Sequence, residues 1–328
     1  MAILITGGTG LIGAELARTL VNRGEDVVLF DISPNYARIS DIQDKVKVVQ
    51  GNLAYCAEVF NVVKDNNIEG IHHMGSMLSV PSNANPWASF QVNVVGTMHV
   101  LEAARLFGVS KVIFTSSLTT YGLACPPVVT DETIQRPTTM YGCGKLYCEV
   151  LGMFYRNRFG LDFRAVRYAS VVGPGVRTPG VAQWNAWMIE YLALGKPFEC
   201  YVTPDTKNPV IYFKDAARSV DMLYQAAKER IKTINYNVAG VTPSRTAKEL
   251  EQVVKKYVPE AQISYKPDPK VMDFYRSLRV DVFDDSRARE EWDWHPLYPD
   301  IEGVTVDIIE KLRVHPNVFG QKPQRNED

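Results

Sequence analysis

The sequence predicts an α/β fold, a doubly wound parallel sheet followed by a smaller C-terminal α/β lobe. Short apolar, β-branched runs alternate with amphipathic helical spacing through the first half, and a glycine-rich turn follows the first run. Beyond residue 169 that alternation breaks up into Gly- and Pro-rich stretches. At 328 residues the chain exceeds the usual limit of one core, so two lobes sharing a cleft are expected.

Strands are expected at Ala2 to Thr6, Asp26 to Phe30, Val46 to Gln50, Gly70 to Met74 and Lys111 to Ser116, each bounded by helical or turn signals. A helix over Tyr141 to Phe159 and a strand over Asp162 to Tyr168 extend the first domain to residues 1–169. Next comes a Gly- and Pro-rich region, Val171 to Pro209, around a helix with Trp184 and Trp187, followed by strands at Asn208 to Phe213 and Thr233 to Val238. Lys214-Asp215-Ala216-Ala217 opens a helix with an acidic cap that returns to the sheet. A helix over Thr246 to Tyr257 and the acidic-basic stretch Asp284 to Trp294 complete the second lobe. Residues 170–314 are thus expected to form mainly that lobe, with segments returning to the sheet, and 315–328 a polar tail whose last ten or so residues are expected to be disordered.

Formal net charge is −1 with basic and acidic residues interspersed, which offers no electrostatic reason for a nucleic-acid or anionic-membrane partner. Met1 leads directly into the Ile3-Leu4-Ile5 run, with no basic leader or spanning apolar segment, so a cytoplasmic location is the expectation. Cysteines 56, 125, 143, 148 and 200 lack metal-type spacing and read as reduced thiols, with no metal site. Cys143 reads as a small helix residue rather than a redox sensor.

Gly7, Gly10 and Gly13, with Leu11 and Ile12 between them, sit directly after a strand and open a helix. That placement suits a tight turn, close approach of a pyrophosphate to backbone N–H groups, and helix–strand packing. Asp31 ends the next strand, where a carboxylate accepts hydrogen bonds from adenosine ribose hydroxyls and repels a 2′-phosphate, favouring NAD over NADP. The lesser alternative is that it merely begins the Ile32-Ser33-Pro34 turn. Asn52-Leu53 follows the third strand and is placed to meet the adenine, or simply ends the strand. Ser116 and Ser117 end the fifth strand at the carboxyl edge, where ligands of such folds bind. Tyr141 and Lys145, four residues apart, share a helix face, so an ammonium near the phenol favours a phenolate base.

Those segments, together with Thr115-Ser116-Ser117 before Tyr121-Gly122 and Asn93 within Gln91-Val92-Asn93-Val94-Val95-Gly96, resemble the extended short-chain dehydrogenase/reductase family, also described as the NAD-dependent epimerase/dehydratase family. The resemblance covers nearly the whole chain. It implies a Rossmann domain holding NAD, with Tyr141 as acid/base and Lys145 binding the nicotinamide ribose and lowering the Tyr pKa. It further implies that Ser117 orients the substrate oxygen and that Asn93 supports the active-site helix. In the family, helices such as Pro86 to Phe107 and Tyr141 to Phe159 pair across a two-fold axis, implying a homodimer.

Within the family the second half is most similar to the threonine-oxidising branch. The segments that carry this are Lys196-Pro197-Phe198-Glu199-Cys200-Tyr201, Asp205-Thr206-Lys207-Asn208-Pro209 with Tyr212, Tyr236-Asn237-Val238-Ala239-Gly240, and Asp284 to Glu290 before Trp292. Met77-Leu78-Ser79 followed by Asn85-Pro86 matches too, making Ser79 a contact for a small polar substrate. Arg177-Thr178 through Trp184 departs from that branch: Thr178 stands as a substrate contact, Arg177 as a carboxylate clamp or a surface residue, and Trp184 as pocket lining or lobe packing. The implied reaction is NAD-dependent oxidation of a small polar secondary alcohol, L-threonine to 2-amino-3-oxobutyrate. Two alternatives remain, a UDP-sugar 4-epimerase with tightly held NAD and a non-catalytic NAD-sensing scaffold. Pro209 and Val210, where sugar-nucleotide members often place an Arg, weigh against the epimerase.

Overall fold

The computed structural model describes residues 2–314, so the polar tail at 315–328 lies outside the described residues. Strand β1 (Ala2–Thr6), helix α1 (Leu11–Asn22), strands β2 (Asp26–Asp31) and β3 (Val46–Gln50), helix α2 (Cys56–Asp65) and strand β4 (Ile68–His73) come first. Two short helices, α3 (Ser79–Ala84) and α4 (Pro86–Ser89), lead through a π-helical turn at Phe90–Val95 into α5 (Gly96–Leu106). Then come β5 (Lys111–Ser117), the two-residue β6 (Val128–Val129), α6 (Met140–Phe159) and β7 (Asp162–Tyr168). The second half holds β8 (Ser170–Val172), α7 (Trp184–Ala193), β9 (Phe198–Cys200), β10 (Lys207–Tyr212), α8 (Phe213–Gln225) and β11 (Asn235–Val238). It closes with β12 (Val241–Thr246), α9 (Ala247–Tyr257), β13 (Ile263–Tyr265), α10 (Pro269–Ser277), β14 (Val282–Phe283), α11 (Ser286–Trp292) and α12 (Ile301–Val314).

Among the described residues the main sheet has seven strands in the order β11-β7-β5-β4-β1-β2-β3, all parallel. Strand β1 shows why its residues form a central strand: Ile3 and Ile5 pack with Ala14, Leu16 and Leu20 of α1, while Ala2 and Leu4 pack with Val59, Val62 and Leu101 on the other face. Both faces are covered by helices, so the strand is apolar from Ala2 to Ile5. Burying such a side chain contributes roughly 1.5–3 kcal/mol.

The sheet reverses direction of growth between β1 and β4, the point where open α/β folds bind ligands beyond the carboxyl ends of the strands. The second lobe has its own core, built from Trp184, Met188 and Ile189 of α7 with Phe198, Tyr212, Leu250, Val254 and Ile308. Its three-stranded sheet, β12-β10-β8, follows directly from β7, and β11 crosses back to pair in parallel with β7.

Two local expectations change. Helix α8 starts at Phe213 with no side-chain cap, and Asp215 in its first turn accepts instead from the backbone N–H groups of Leu297 (2.8 Å) and Tyr298 (2.9 Å). It therefore ties α8 to the distant 297–298 segment. The helix expected to run unbroken from Pro86 carries the π-helical turn, centred on the segment with Asn93. No helix of the described residues is long and apolar enough to cross a membrane.

Candidate active site

The site begins with backbone geometry. Gly7 has φ +64°, and a Cβ there would lie 2.9 Å from Gly75 Cα; a Cβ on Gly13 would lie 2.5 Å from the Gly7 carbonyl oxygen. Only hydrogen fits where the turn, the helix start and the β4 exit meet. Gly10 caps α1 without a side-chain hydrogen bond, so the first N–H groups of the helix remain available to an anion. Asp31 accepts through Oδ2 from Thr9 N (3.2 Å) and Thr9 Oγ1 (2.8 Å), and through Oδ1 from Ser33 N (3.2 Å), which fixes its carboxylate across the glycine turn. Gly7, Gly10, Leu11, Ile12, Gly13, Asp31, Asn52 and Leu53 line one end of a 760 Å³ cleft.

Ser117 and Tyr141 line the middle of that cleft, where the carboxyl end of β5 faces the first turn of α6. Thr139 caps α6, accepting from Gly142 N at 3.0 Å, which sets where Tyr141 emerges. Ser117 Oγ accepts from Thr119 N (3.2 Å) and Thr119 Oγ1 (3.0 Å), so its own O–H is left to donate. Lys145 is buried behind Tyr141 and is absent from the cleft wall. Its Nζ donates to the Thr115 carbonyl at 2.7 Å and lies 5.5 Å from the centre of the Tyr141 ring.

The electrostatics differ from the sequence expectation. Burial pushes the Tyr141 phenol up to about 12, and the one interaction that lowers it is a hydrogen bond with Ser76. Burial likewise brings Lys145 down to about 8. In this arrangement the Lys145 ammonium is spent on a carbonyl, and desolvation dominates the phenol.

Ser76 escaped the sequence reading, since it sits in coil after β4, where no periodic pattern operates. Asn93 explains how it is held. From the π-helical turn, Asn93 accepts from Met77 N (2.7 Å) and donates to Met77 O (2.9 Å), gripping the residue next to Ser76. Asn93 itself does not reach the cleft. Its grip also presents Ser79, which lines the cleft at the start of α3.

The far end is formed by Val176, Thr178 to Gln183, Lys207 to Pro209, and Phe274 to Val280 in part. Thr178 is on this wall. Trp184 is not: it is fully buried in the second core, with Nε1 donating to Tyr275 OH at 2.9 Å. Helix α7 buries nearly every residue, so its first Trp packs inward. Arg177 also fails as a carboxylate clamp. Its guanidinium pairs with Glu190 at 2.6 Å, because a carboxylate buried in α7 requires a cation, and it does not line the cleft. Trp187 Nε1 donates to Val176 O at 2.9 Å, pinning the same loop.

Behind the catalytic edge lies a buried ionic cluster. Arg167 of β7 pairs with Glu149 of α6 at 2.7 Å and donates to Tyr121 OH at 3.1 Å; Glu149 also accepts from Ser116 Oγ and Gln135. This cluster fastens α6 to β5 and β7, and so fixes Tyr141 relative to Ser117.

The bare glycine cradle, the free helix N-terminus and the carboxylate across from it match the pyrophosphate and ribose of a dinucleotide. Residues 3–239 match the model of the NAD dependent epimerase/dehydratase family. The chain belongs to that family. As a member it is an NAD-dependent oxidoreductase, and NAD is its cofactor. This family member is 33% identical over 298 residues to the mitochondrial L-threonine 3-dehydrogenase of Bos taurus, covering 89% of this chain and 78% of that one. Among solved structures it is similar to L-threonine dehydrogenase from Phytophthora infestans (32% identity, TM-score 0.84, 96% and 99% of the two chains). It is similar as well to L-threonine 3-dehydrogenase from Trypanosoma brucei (26% identity, TM-score 0.88, 98% and 99%).

Proposed function

We propose that the protein oxidises L-threonine at its secondary hydroxyl, giving 2-amino-3-oxobutyrate, NADH and a proton. The observation that carries this reading is the placing on one cleft wall of a half-buried phenol, Tyr141, and a serine, Ser117, whose acceptor capacity is already filled. A hydroxyl that can only donate suits the substrate oxygen as it turns from alkoxide into carbonyl. Tyr141 takes the hydroxyl proton, and Ser76, hydrogen-bonded to it, steadies the phenolate. Lys145, anchored at the Thr115 carbonyl, stands directly behind Tyr141 in this reading. When bound, NAD supplies the hydride acceptor and a positively charged ring that favours the phenolate. Gly7, Gly10, Leu11, Ile12, Gly13, Asp31, Asn52 and Leu53 hold it, and Ser79 and Thr178 contact the substrate.

The choice of threonine rests on the relatives together with the cleft wall. Among the described residues lining the cleft, Lys207 is the one cation, and it is paired with Asp281 at 2.8 Å. That is little for the pyrophosphate of a sugar nucleotide, which needs several donors. Exposed apolar side chains on adjacent helices, Trp87, Met98 and Leu106 with Tyr147, Val150 and Phe154, support a homodimer through this face. The five free cysteines fit a reducing cytoplasm.

The test follows NADH absorbance with purified enzyme, NAD and L-threonine, alongside Tyr141→Phe. Stoichiometric NADH, abolished in the variant, is the expected result. A wild-type enzyme that makes none with L-threonine but interconverts UDP-sugars would overturn it.

A further inference from the structure

One polar atom on the cleft wall is left without a partner. Asn208 is 4% exposed and lines the far end of the cleft, yet its Nδ2 has no hydrogen-bond partner. The other end of the same amide is occupied: Oδ1 accepts from Ser170 Oγ at 3.2 Å and from Tyr275 OH at 3.5 Å. Tyr275 is itself oriented by Trp184 Nε1 at 2.9 Å, so three side chains fix the amide with its donor end vacant.

The backbone explains why this side chain is displayed. The pairing of β10 with β12 slips between Asn208 and Val210, at Pro209, which has no N–H to give the ladder. A bulge of this kind re-aims side chains at the edge of a site. Leaving a buried N–H donor unmade is costly, so a place where it persists in a cleft is a place built for a ligand acceptor.

We infer that Asn208 is a specificity-determining residue whose Nδ2 donates to a carboxylate oxygen of the substrate. This rests on the reading of the protein as a dehydrogenase of a small hydroxy amino acid. The far wall otherwise offers few groups for an anion: Arg177 is held by Glu190 and Lys207 by Asp281. A neutral donor there accepts a carboxylate without carrying the unpaired charge that a second buried cation would bring. Asn208 is thus a positioning group, holding the acid end of the substrate while its hydroxyl lies between Ser117 and Tyr141.

Calorimetry separates this from the reaction itself, using the NADH-loaded enzyme, which cannot turn the alcohol over. The two ligands are L-threonine and 1-aminopropan-2-ol, the same amino alcohol without its carboxylate. Asn208→Leu is expected to weaken L-threonine roughly 10- to 100-fold while leaving 1-aminopropan-2-ol within about twofold, as for loss of one charge-assisted hydrogen bond. Asn208→Asp, nearly isosteric, is expected to weaken L-threonine at least as much. Equal affinity for L-threonine in all three proteins, equal loss for both ligands, or tighter binding by Asn208→Asp would each overturn the inference. The last would mean that the amide faces the ammonium. Carboxylate-selective binding without NADH formation from NAD would contradict the proposed reaction and leave the subsite standing.

Discussion

Ser117 receives two hydrogen bonds from Thr119, one from its backbone N–H at 3.2 Å and one from its hydroxyl at 3.0 Å. Both lone pairs of the serine oxygen are thereby used, and the proton on that oxygen has the cleft as its remaining direction. Ser117→Ala should lower kcat about 100-fold, the scale of losing one donor to a developing oxyanion. Thr119→Val frees one lone pair and lets the serine proton turn away, which should lower kcat several-fold with NADH affinity unchanged. Steady-state kinetics and a fluorescence titration with NADH decide; a Thr119→Val enzyme with full kcat would dissociate the two residues.

Ser76 supplies the interaction that lowers the Tyr141 phenol from its burial-raised position near 12. Removing it with Ser76→Ala should raise that pKa further. Because the base must be ionised to work, activity rises with pH, and the rise should move to higher pH in the variant by up to about one unit, equivalent to about 1.4 kcal/mol. The pH profile of kcat/KM is the measurement. A lower rate with an unshifted profile would mean that Ser76 only packs.

His72 is fully buried on β4, against the Tyr224 ring at 5.0 Å, with both ring nitrogens unpartnered. Burial lowers it from 6.5 to about 3. The unfolded chain takes up a proton below 6.5 that the folded protein refuses until about 3, so this share of stability is present above 6.5 and is lost as pH falls. Asp131, pushed up to about 7 by burial, acts in the opposite sense, holding a proton in the folded state between 3.8 and 7. Comparing His72→Leu with the parent isolates the histidine share. Between pH 6.5 and 5 the variant should lose about 2 kcal/mol less, measured by urea denaturation.

The Glu149–Arg167 pair is buried on both sides, with side-chain exposures of 1% and 5%. Arg167→Met leaves the carboxylate in a dry environment with only Ser116 and Gln135 as donors. A loss of about 3–5 kcal/mol in unfolding free energy is expected. A denaturation midpoint equal to that of the parent would show that the pair contributes nothing to stability.

Most of the sheet was legible in the sequence because strands covered on both faces are rich in apolar and β-branched residues, as Ala2 to Thr6 and Lys111 to Phe114 illustrate. Gly7, Gly13 and Asp31 were legible because a short stretch of backbone brings them together. Of the two roles that the sequence left open for each of Trp184 and Arg177, the ligand-facing one is not taken. A residue at the mouth of a Gly-rich segment looks the same in sequence whether it faces ligand or core. Helix α7, which opens on Trp184, held the answer, since it is buried nearly all round and contains Glu190, a buried acid that demands a cation. Ser76 and Asn208 were invisible as functional groups because their significance is tertiary. One meets Tyr141 across 65 residues of chain, and the other matters because nothing meets its amide nitrogen.

Strand β11 comes from Asn235–Val238, yet it completes a sheet whose other six strands end at Tyr168. During synthesis the edge of β7 therefore waits, unpaired, until some seventy further residues have left the ribosome. A fragment ending near residue 169 would present that unpaired backbone edge to other chains, inviting intermolecular strand addition. The two halves of the molecule are in this sense one folding unit: the later half supplies the strand that closes the exposed margin of the earlier, and truncation at residue 169 removes that strand.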